Sequence, residues 1–260
     1  MKTQLLLPPL SISRYVQSII VIEDYHLEAD FVIPLIARGY PSIVFQDTGQ
    51  CISGNRTDRL VLYGQNVKPF HFNTTERVII IAFFLYPHLL KSIFGFGAKE
   101  SRDISIDLGV SPQAKKINLT EQLLNAPSLS IRLQLMTGFI QDLCEASWSD
   151  ENQSILFATS QIIKDKGLSS PRTIREKLHL TERTFERLFE THVGVSPKLF
   201  NKICQFHSAF QQFSNRNYNK LSDVAFENGY SDQSHFIRVF KEFTNLTPGE
   251  YLKNVPRQED

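Results

Sequence analysis

Gly229-Tyr230-Ser231-Asp232-Gln233-Ser234-His235-Phe236-Ile237-Arg238-Val239-Phe240-Lys241 is the stretch from which the fold of the C-terminal part is read. Phe236, Val239 and Phe240 are spaced for one face of a helix, which leaves Gln233, Ser234, Ile237, Arg238 and Lys241 facing outward. Upstream, Leu221, Val224 and Ala225 give a shorter helix its apolar face, and Asn228-Gly229 ends it with a pair able to turn left-handed. Ser231 stands where a cap for the second helix belongs. The spacing predicts helix, tight turn, helix.

The pattern occurs twice. Phe185-Glu186-Arg187-Leu188-Phe189 aligns with Phe236-Ile237-Arg238-Val239-Phe240 at an offset of 51, as Val195-Ser196-Pro197 does with Leu246-Thr247-Pro248 and Phe200 with Tyr251. Upstream the offset is 50, pairing Ile174 with Val224, Leu180 with Tyr230 and Thr181 with Ser231, so the second copy has one more residue in its turn. In the first copy Ser170 and Pro171 open a helix through Ile174 and Leu178, His179-Leu180 turn, and Thr181 caps the next helix. There Phe185, Leu188 and Phe189 point inward and Arg183, Glu186, Arg187 and Glu190 outward. Two copies are too few for a solenoid. They read as a duplicated helix-turn-helix, motifs at about 171–192 and 221–243, whose second helices fit a major groove ~12 Å wide. On periodicity alone, the same outer faces read more readily as solvated surface than as a DNA-reading one.

Ahead of these helices the chain is β-rich. Arg14 to Glu23, Ser42 to Gln46, Arg59 to Tyr63 and Arg77 to Tyr86 carry Val, Ile, Phe and Tyr, with turn clusters at Asp47-Thr48-Gly49 and Ser53-Gly54-Asn55. That spacing suggests a small barrel or sandwich. From Pro112 the period changes, giving helices at Pro112 to Asn125 and Leu129 to Ala146, fit for a dimer seam or for packing on their own barrel. A polar joint near Trp148 to Gln153 divides the chain into 1–150 and 151–260. The expected fold class is α+β: a β-rich, sensor-like barrel with helices, then an all-α domain with two helix-turn-helix motifs.

Composition bounds the function. With 42% apolar residues the chain is neither disordered nor collagen-like. The longest apolar run, Val78 to Tyr86, is far short of a membrane span, and Leu5 to Leu7 stop at Pro8-Pro9 before forming a signal-peptide core. Cys51, Cys144 and Cys204 fit neither a disulfide framework nor a zinc knuckle. The expectation is a cytoplasmic protein with reduced thiols and no membrane contact. Net charge is +1, and 28 basic residues against 27 acidic ones argue against a non-specific nucleic-acid coat. The part after residue 150 carries 15 basic and 13 acidic residues, so DNA affinity would have to come from placed contacts.

The string from Gly229 to Lys241, followed by Leu246-Thr247-Pro248-Gly249-Glu250-Tyr251, resembles the signature of the AraC/XylS family of transcriptional regulators, and Leu180 to Phe200 is similar to that family's first helix-turn-helix. The resemblance covers about 155–255. It implies a bipartite DNA-binding domain joined by a helix from Pro197 to Asn215, its recognition helices in successive major grooves. Base contacts would fall to Arg183, Glu186 and Arg187, then to Gln233, Ser234, His235 and Arg238, with Lys241 nearer the phosphates. Glu186 suits cytosine N4 or the repulsion of wrong sites, and His235 reads equally as a packed residue. Four positions depart from the family pattern: Arg175 for a small Ala, His179 for the turn Gly, Gln205 for an Arg, and Asn245 for a Gly.

In that family the other domain commonly binds an effector, dimerises, or both. Tyr63, His71, Asn73, Glu76 and Arg77 lie near strand edges, and His71-Phe72-Asn73 with Glu76 loosely resembles a metal-binding barrel motif. Asn stands where a second His would ligate, so no metal, cofactor or catalytic residue is expected. Leu89, Leu90, Ile93, Phe94 and Phe96 read as core. The reading is a sequence-specific transcription regulator, taken as an activator and not an enzyme. Its partners are promoter DNA and RNA polymerase, with a small-molecule effector and a homodimer as the roles open to the N-terminal domain. The competing classes are a barrel metalloenzyme with an appended helical domain, and an architectural or interaction module that touches no bases. A DNA-repair regulator with a methyl-accepting thiol would need a Cys cluster that is absent.

Overall fold

A computed structural model of the 260-residue chain describes residues 2–24, 31–48, 51–52, 55–56, 58–74, 77–146 and 152–254. The N-terminal strands are β1 (Lys2–Leu6), β2 (Val16–Asp24), β3 (Phe31–Leu35), β4 (Ser42–Gln46), β5 (Cys51–Ile52), β6 (Asn55–Arg56), β7 (Leu60–Tyr63), β8 (Phe70–Thr74), β9 (Val78–Leu85) and β10 (Ser105–Asp107). They form a six-stranded sheet in the order β1-β2-β9-β4-β7-β10 and a four-stranded sheet in the order β3-β8-β5-β6. Every pairing is antiparallel. The apolar run of β9 lies mid-sheet, where both faces are covered, and that explains a strand without polar alternation.

The barrel expectation needs correcting. Both sheets are open, with β1 and β10 as the edges of the larger one. Closure requires edge strands long enough to pair with each other, whereas the edge strands β10 and β6 have three and two residues. The α+β class stands.

Helices α1 (Leu90–Phe94), α2 (Pro112–Lys116), α3 (Leu119–Asn125) and α4 (Leu129–Ala146) complete the N-terminal part. The single helix expected from Pro112 to Asn125 is two, because Asn118 between them takes a left-handed conformation with φ 50°. On α4, Met136, Phe139, Ile140, Leu143 and Cys144 pack on the large sheet with Tyr15, Phe45 and Phe83, so this face is occupied within the chain. Leu89, Leu90 and Ile93 are buried there, and Phe94 and Phe96 pack against the same core as expected.

The C-terminal helices are α5 (Gln153–Lys164), α6 (Pro171–Lys177), α7 (Glu182–His192), α8 (Pro197–Ser214), α9 (Leu221–Glu227), α10 (Gln233–Thr244) and α11 (Pro248–Asn254). The expected joint lies mostly outside the described residues. Ile36, Ala37 and Val67 leave the N-terminal part and pack among residues of α8, α9 and α10. Gln65 Nε2 donates to the Gly39 carbonyl at 2.9 Å, which holds this segment in place.

A 3₁₀ turn at Pro87–Leu89 packs on α5 and α7. Burial there lowers the His88 pKa to about 4, and His192 on α7 is lowered by its own burial and by Lys91 and His88. His207 on α8 falls to about 3 through burial and the nearby Arg38. Each imidazole stays neutral in the fold but takes up a proton near pH 6.5 once the chain unfolds. For His88 the stabilisation is therefore complete above that value and lost as pH falls toward 4. Between pH 7 and pH 5, His88 alone should remove about 2 kcal/mol. Thermal unfolding across that range should show a falling midpoint, and a flat profile would contradict the burial.

Candidate nucleic-acid interface

In the first unit α6 ends at Leu178, His179 turns with φ 53°, and Thr181 caps α7 by accepting the Thr184 N–H at 3.2 Å. The residue replacing a turn glycine thus adopts the glycine conformation. Ser170 occupies the cap position of α6 without a side-chain cap bond. Phe185 and Phe189 face inward, their rings 4.9 Å apart, and Phe200 of α8 stands 5.9 Å from Phe189. This leaves Arg183, Glu186 and Arg187 exposed together on one face of α7. Arg175, standing where a small residue is usual, reaches out of the crossing and pairs with Glu182 at 3.3 Å.

In the second unit Asn228 closes α9 and Gly229 turns with φ 74°. The cap of α10 is not Ser231 but Asp232, whose carboxylate accepts the His235 N–H at 2.7 Å. That bond, and one from the Ser231 hydroxyl, hold the Asp232 carboxyl below its ordinary pKa. One more residue in this turn moves the cap one place along. Phe236, Val239 and Phe240 are buried, while Gln233, Ser234, Arg238 and Lys241 are exposed along α10. His235 is half-buried, edge-on to the Tyr230 ring at 5.3 Å and 3.2 Å from the Ser231 hydroxyl, so it belongs as much to the turn as to the outer face. Asn245 ends α10 with φ 60°, again taking the glycine conformation.

The other candidates are dispersed. Tyr63 is buried in β7, Arg77 is exposed before β9, and the side chains of His71 and Asn73, like Glu76 entirely, lie outside the described residues. No cluster of three metal-ligating groups occurs among the described residues. No helix among them is long and apolar enough to cross a membrane.

Several contributors were not legible in the sequence. Lys99 pairs with Glu190 of α7 at 3.0 Å, and a Cβ on Gly194 would lie 2.7 Å from the Ala98 carbonyl oxygen. The N-terminal part thus touches the C-terminal end of α7. The ion pair is solvated and adds little stability by itself. Its use is to mark where the two parts meet.

Residues 174–254 match the family described as a helix-turn-helix domain. This segment is an AraC-type helix-turn-helix domain. This AraC-type segment carries the likeness to curated proteins as well. An uncharacterized HTH-type transcriptional regulator of Haemophilus influenzae is 32% identical over 82 residues, 32% of this chain and 27% of that protein. The raffinose operon transcriptional regulatory protein RafR of Pediococcus pentosaceus is 33% identical over 79 residues, 30% of this chain and 28% of that protein. The chain therefore aligns with about a quarter of the length of these relatives. Residues 4–107 match a domain of unknown function, DUF6597. Across the whole chain the fold is that of ToxT from Vibrio cholerae, with TM-score 0.54 at 12% identity, covering 98% of this chain and 99% of ToxT.

Proposed function

We propose that the chain is a sequence-specific, effector-responsive transcription regulator, with residues 1–150 sensing and 151–260 reading DNA, that it acts in the cytoplasm and that it catalyses no reaction. The observation carrying this reading is the twice-occurring helix whose phenylalanines are fully committed to the core while its cations stand free of it. Arg183, Glu186 and Arg187 read one half-site. Gln233, Ser234 and Arg238 read the other, with His235 at its margin and Lys241 on phosphate. Arg175 is engaged by Glu182 and reads nothing. Activation through RNA polymerase and a homodimer belong to the same reading.

Binding of promoter fragments, followed by anisotropy, should weaken steeply with salt. Arg187→Ala or Arg238→Ala should each cost ~1–3 kcal/mol and relax discrimination at one base position. Equal loss on every sequence would make these residues phosphate contacts and would overturn their role as base readers.

The effector reading takes its chemistry from ToxT, one structure of which is described as bound to an unsaturated fatty acid (TM-score 0.50, 12% identity). In this chain Arg38 lies near Tyr251 and His207, its guanidinium 5.1 Å from the centre of the Phe84 ring, and no carboxylate pairs with it among the described residues. Burial lowers its pKa. A half-buried guanidinium without a counter-charge among the described residues favours an anionic head group beside apolar walls. An unsaturated fatty acid should shift the DNA affinity of the wild-type chain and leave that of Arg38→Gln unchanged; equal shifts in both would exclude Arg38.

A further inference from the structure

We propose that a stripe of amide side chains on α8, formed by Asn201, Gln205 and Gln212, fixes one helix-turn-helix unit against the other and thereby sets the half-site spacing that the chain accepts. This rests on the DNA reading above. Positions 201, 205 and 212 are four and seven residues apart, which places them on one face of the helix.

Asn201 Nδ2 donates to the Gly167 carbonyl at 3.2 Å and to the Ser169 carbonyl, both in the loop leading into α6. Gln205 Nε2 donates at 2.9 Å to the carbonyl of Asn228, in the turn of the second unit. Gln212 Oε1 accepts from Asn228 Nδ2 at 2.6 Å, and its Nε2 donates to Glu227 Oε2 at 2.6 Å and to the Asn217 carbonyl at 3.1 Å. The carbonyl partners of Asn201 and Gln205 can only accept, so the amide nitrogens must face them.

The two turns also press on one another. A Cβ on Gly229 would lie 2.6 Å from Leu168 Cδ2, and one on Gly167 would lie 2.6 Å from the Gln205 nitrogen and overlap the Asn201 carbonyl oxygen. Both recognition units are thus referenced to a single turn of α8, residues 201–205.

The apolar cores meet only through the partly buried Val67 and Leu199, which pack against both. One buried cluster is built on Phe185, Phe189 and Phe200, the other on Phe206, Phe236 and Phe240, and they share no fully buried residue. Apolar contact tolerates sliding, whereas hydrogen bonds are directional. Without the amides each unit keeps its core but loses its fixed angle to the other. Moving a half-site by one base pair displaces the groove by about 3.4 Å and rotates it by about 34°, a mismatch a rigid pair rejects and a loose pair accepts.

The test uses the full chain with Gln205→Met, which keeps length but removes the donor, and Gln205→Arg, which can still donate to Asn228. Affinity is measured for paired half-sites at the preferred spacing, at spacings changed by one base pair, and for single half-sites. In Gln205→Met the advantage of the preferred spacing should shrink about tenfold, as loss of one part-buried hydrogen bond would give, with single half-site binding unchanged. Gln205→Arg should retain it. An undiminished advantage in a folded Gln205→Met chain would overturn the proposal, and Gln212→Met replaces it should that chain not fold. A second readout needs no DNA: spin labels at Arg183→Cys and Ser234→Cys, with Cys51→Ser, should give one narrow distance distribution that broadens in the Met variants. Equally narrow distributions would also overturn it. Failure of the wild-type chain to bind any DNA would instead remove the DNA reading, leaving the hinge to the label distances.

Discussion

Phe240→Ala is expected to destabilise the chain by about 3–5 kcal/mol, the range for emptying a phenylalanine site in a packed core. Phe240 is fully buried. Its ring centre lies 5.1 Å from that of Phe213 and 5.7 to 5.9 Å from those of Phe206, Phe210, Phe236 and Tyr251. Those rings come from α8, α10 and α11, so the cavity cannot close by moving one helix. Urea unfolding should show the loss as a lower midpoint. Binding to the half-site read by α10 should fail first, with the half-site of α7 still engaged. A cost below about 1 kcal/mol would mean that the second unit is not packed as described.

Gly167→Val should be nearly as severe, at about 3 kcal/mol or more, from a residue with no side chain to lose. Gly167 adopts φ 73° after α5, donating its N–H to the Ile162 carbonyl at 2.8 Å, and it sits against the backbone of Asn201 and Gln205. A β-branched residue is strained at that φ, and its Cβ would meet backbone that cannot swing aside. Gly138→Ala is the control. Gly138 lies exposed within α4 with nothing within 4 Å of an added Cβ. That change should raise stability by about 0.5–1 kcal/mol. Similar midpoints for the two variants in thermal unfolding would exclude the close approach at Gly167.

The C-terminal helices were legible because period and punctuation agree there. Phe185 and Phe189, like Phe236 and Phe240, repeat at four residues, and Pro171 and Pro197 open α6 and α8 as the sequence reading placed them. His179, Gly229 and Asn245 adopt the left-handed turns that end their helices. Asp232 rather than Ser231 caps α10, a shift of one residue between two good capping types.

The N-terminal part was half legible. Strands β2, β4, β7 and β9 stand out because they are the buried middle of the large sheet, and Ser42–Gln46 was read with its observed ends. Strands β1, β3, β5, β6, β8 and β10 were missed; of these β1, β3, β6 and β10 are sheet edges. Edge strands are chosen by their neighbours more than by their own composition. Openness versus closure has no local signature either, since it depends on whether distant edges meet. The contacts of Ile36, Ala37 and Lys99 with the C-terminal helices are tertiary in the same sense. Gln205 was visible as a departure from the family pattern, but its hydrogen bond to Asn228 needed coordinates.

The near-neutral charge now has a structural counterpart. Of the outward cations, Arg175 is paired with Glu182, Lys202 with Glu242 and Lys99 with Glu190. Arg183 and Arg187 on α7 and Arg238 and Lys241 on α10 are exposed, and on the proposed reading specificity rests on these two sets of contacts held at one spacing. Selection of bound sites from random DNA by the full chain tests that most directly. The expected result is two half-sites about 10–10.5 base pairs apart, one degraded by Arg187→Ala and the other by Arg238→Ala. A single uninterrupted site, two half-sites with no fixed spacing, or no enrichment would contradict it.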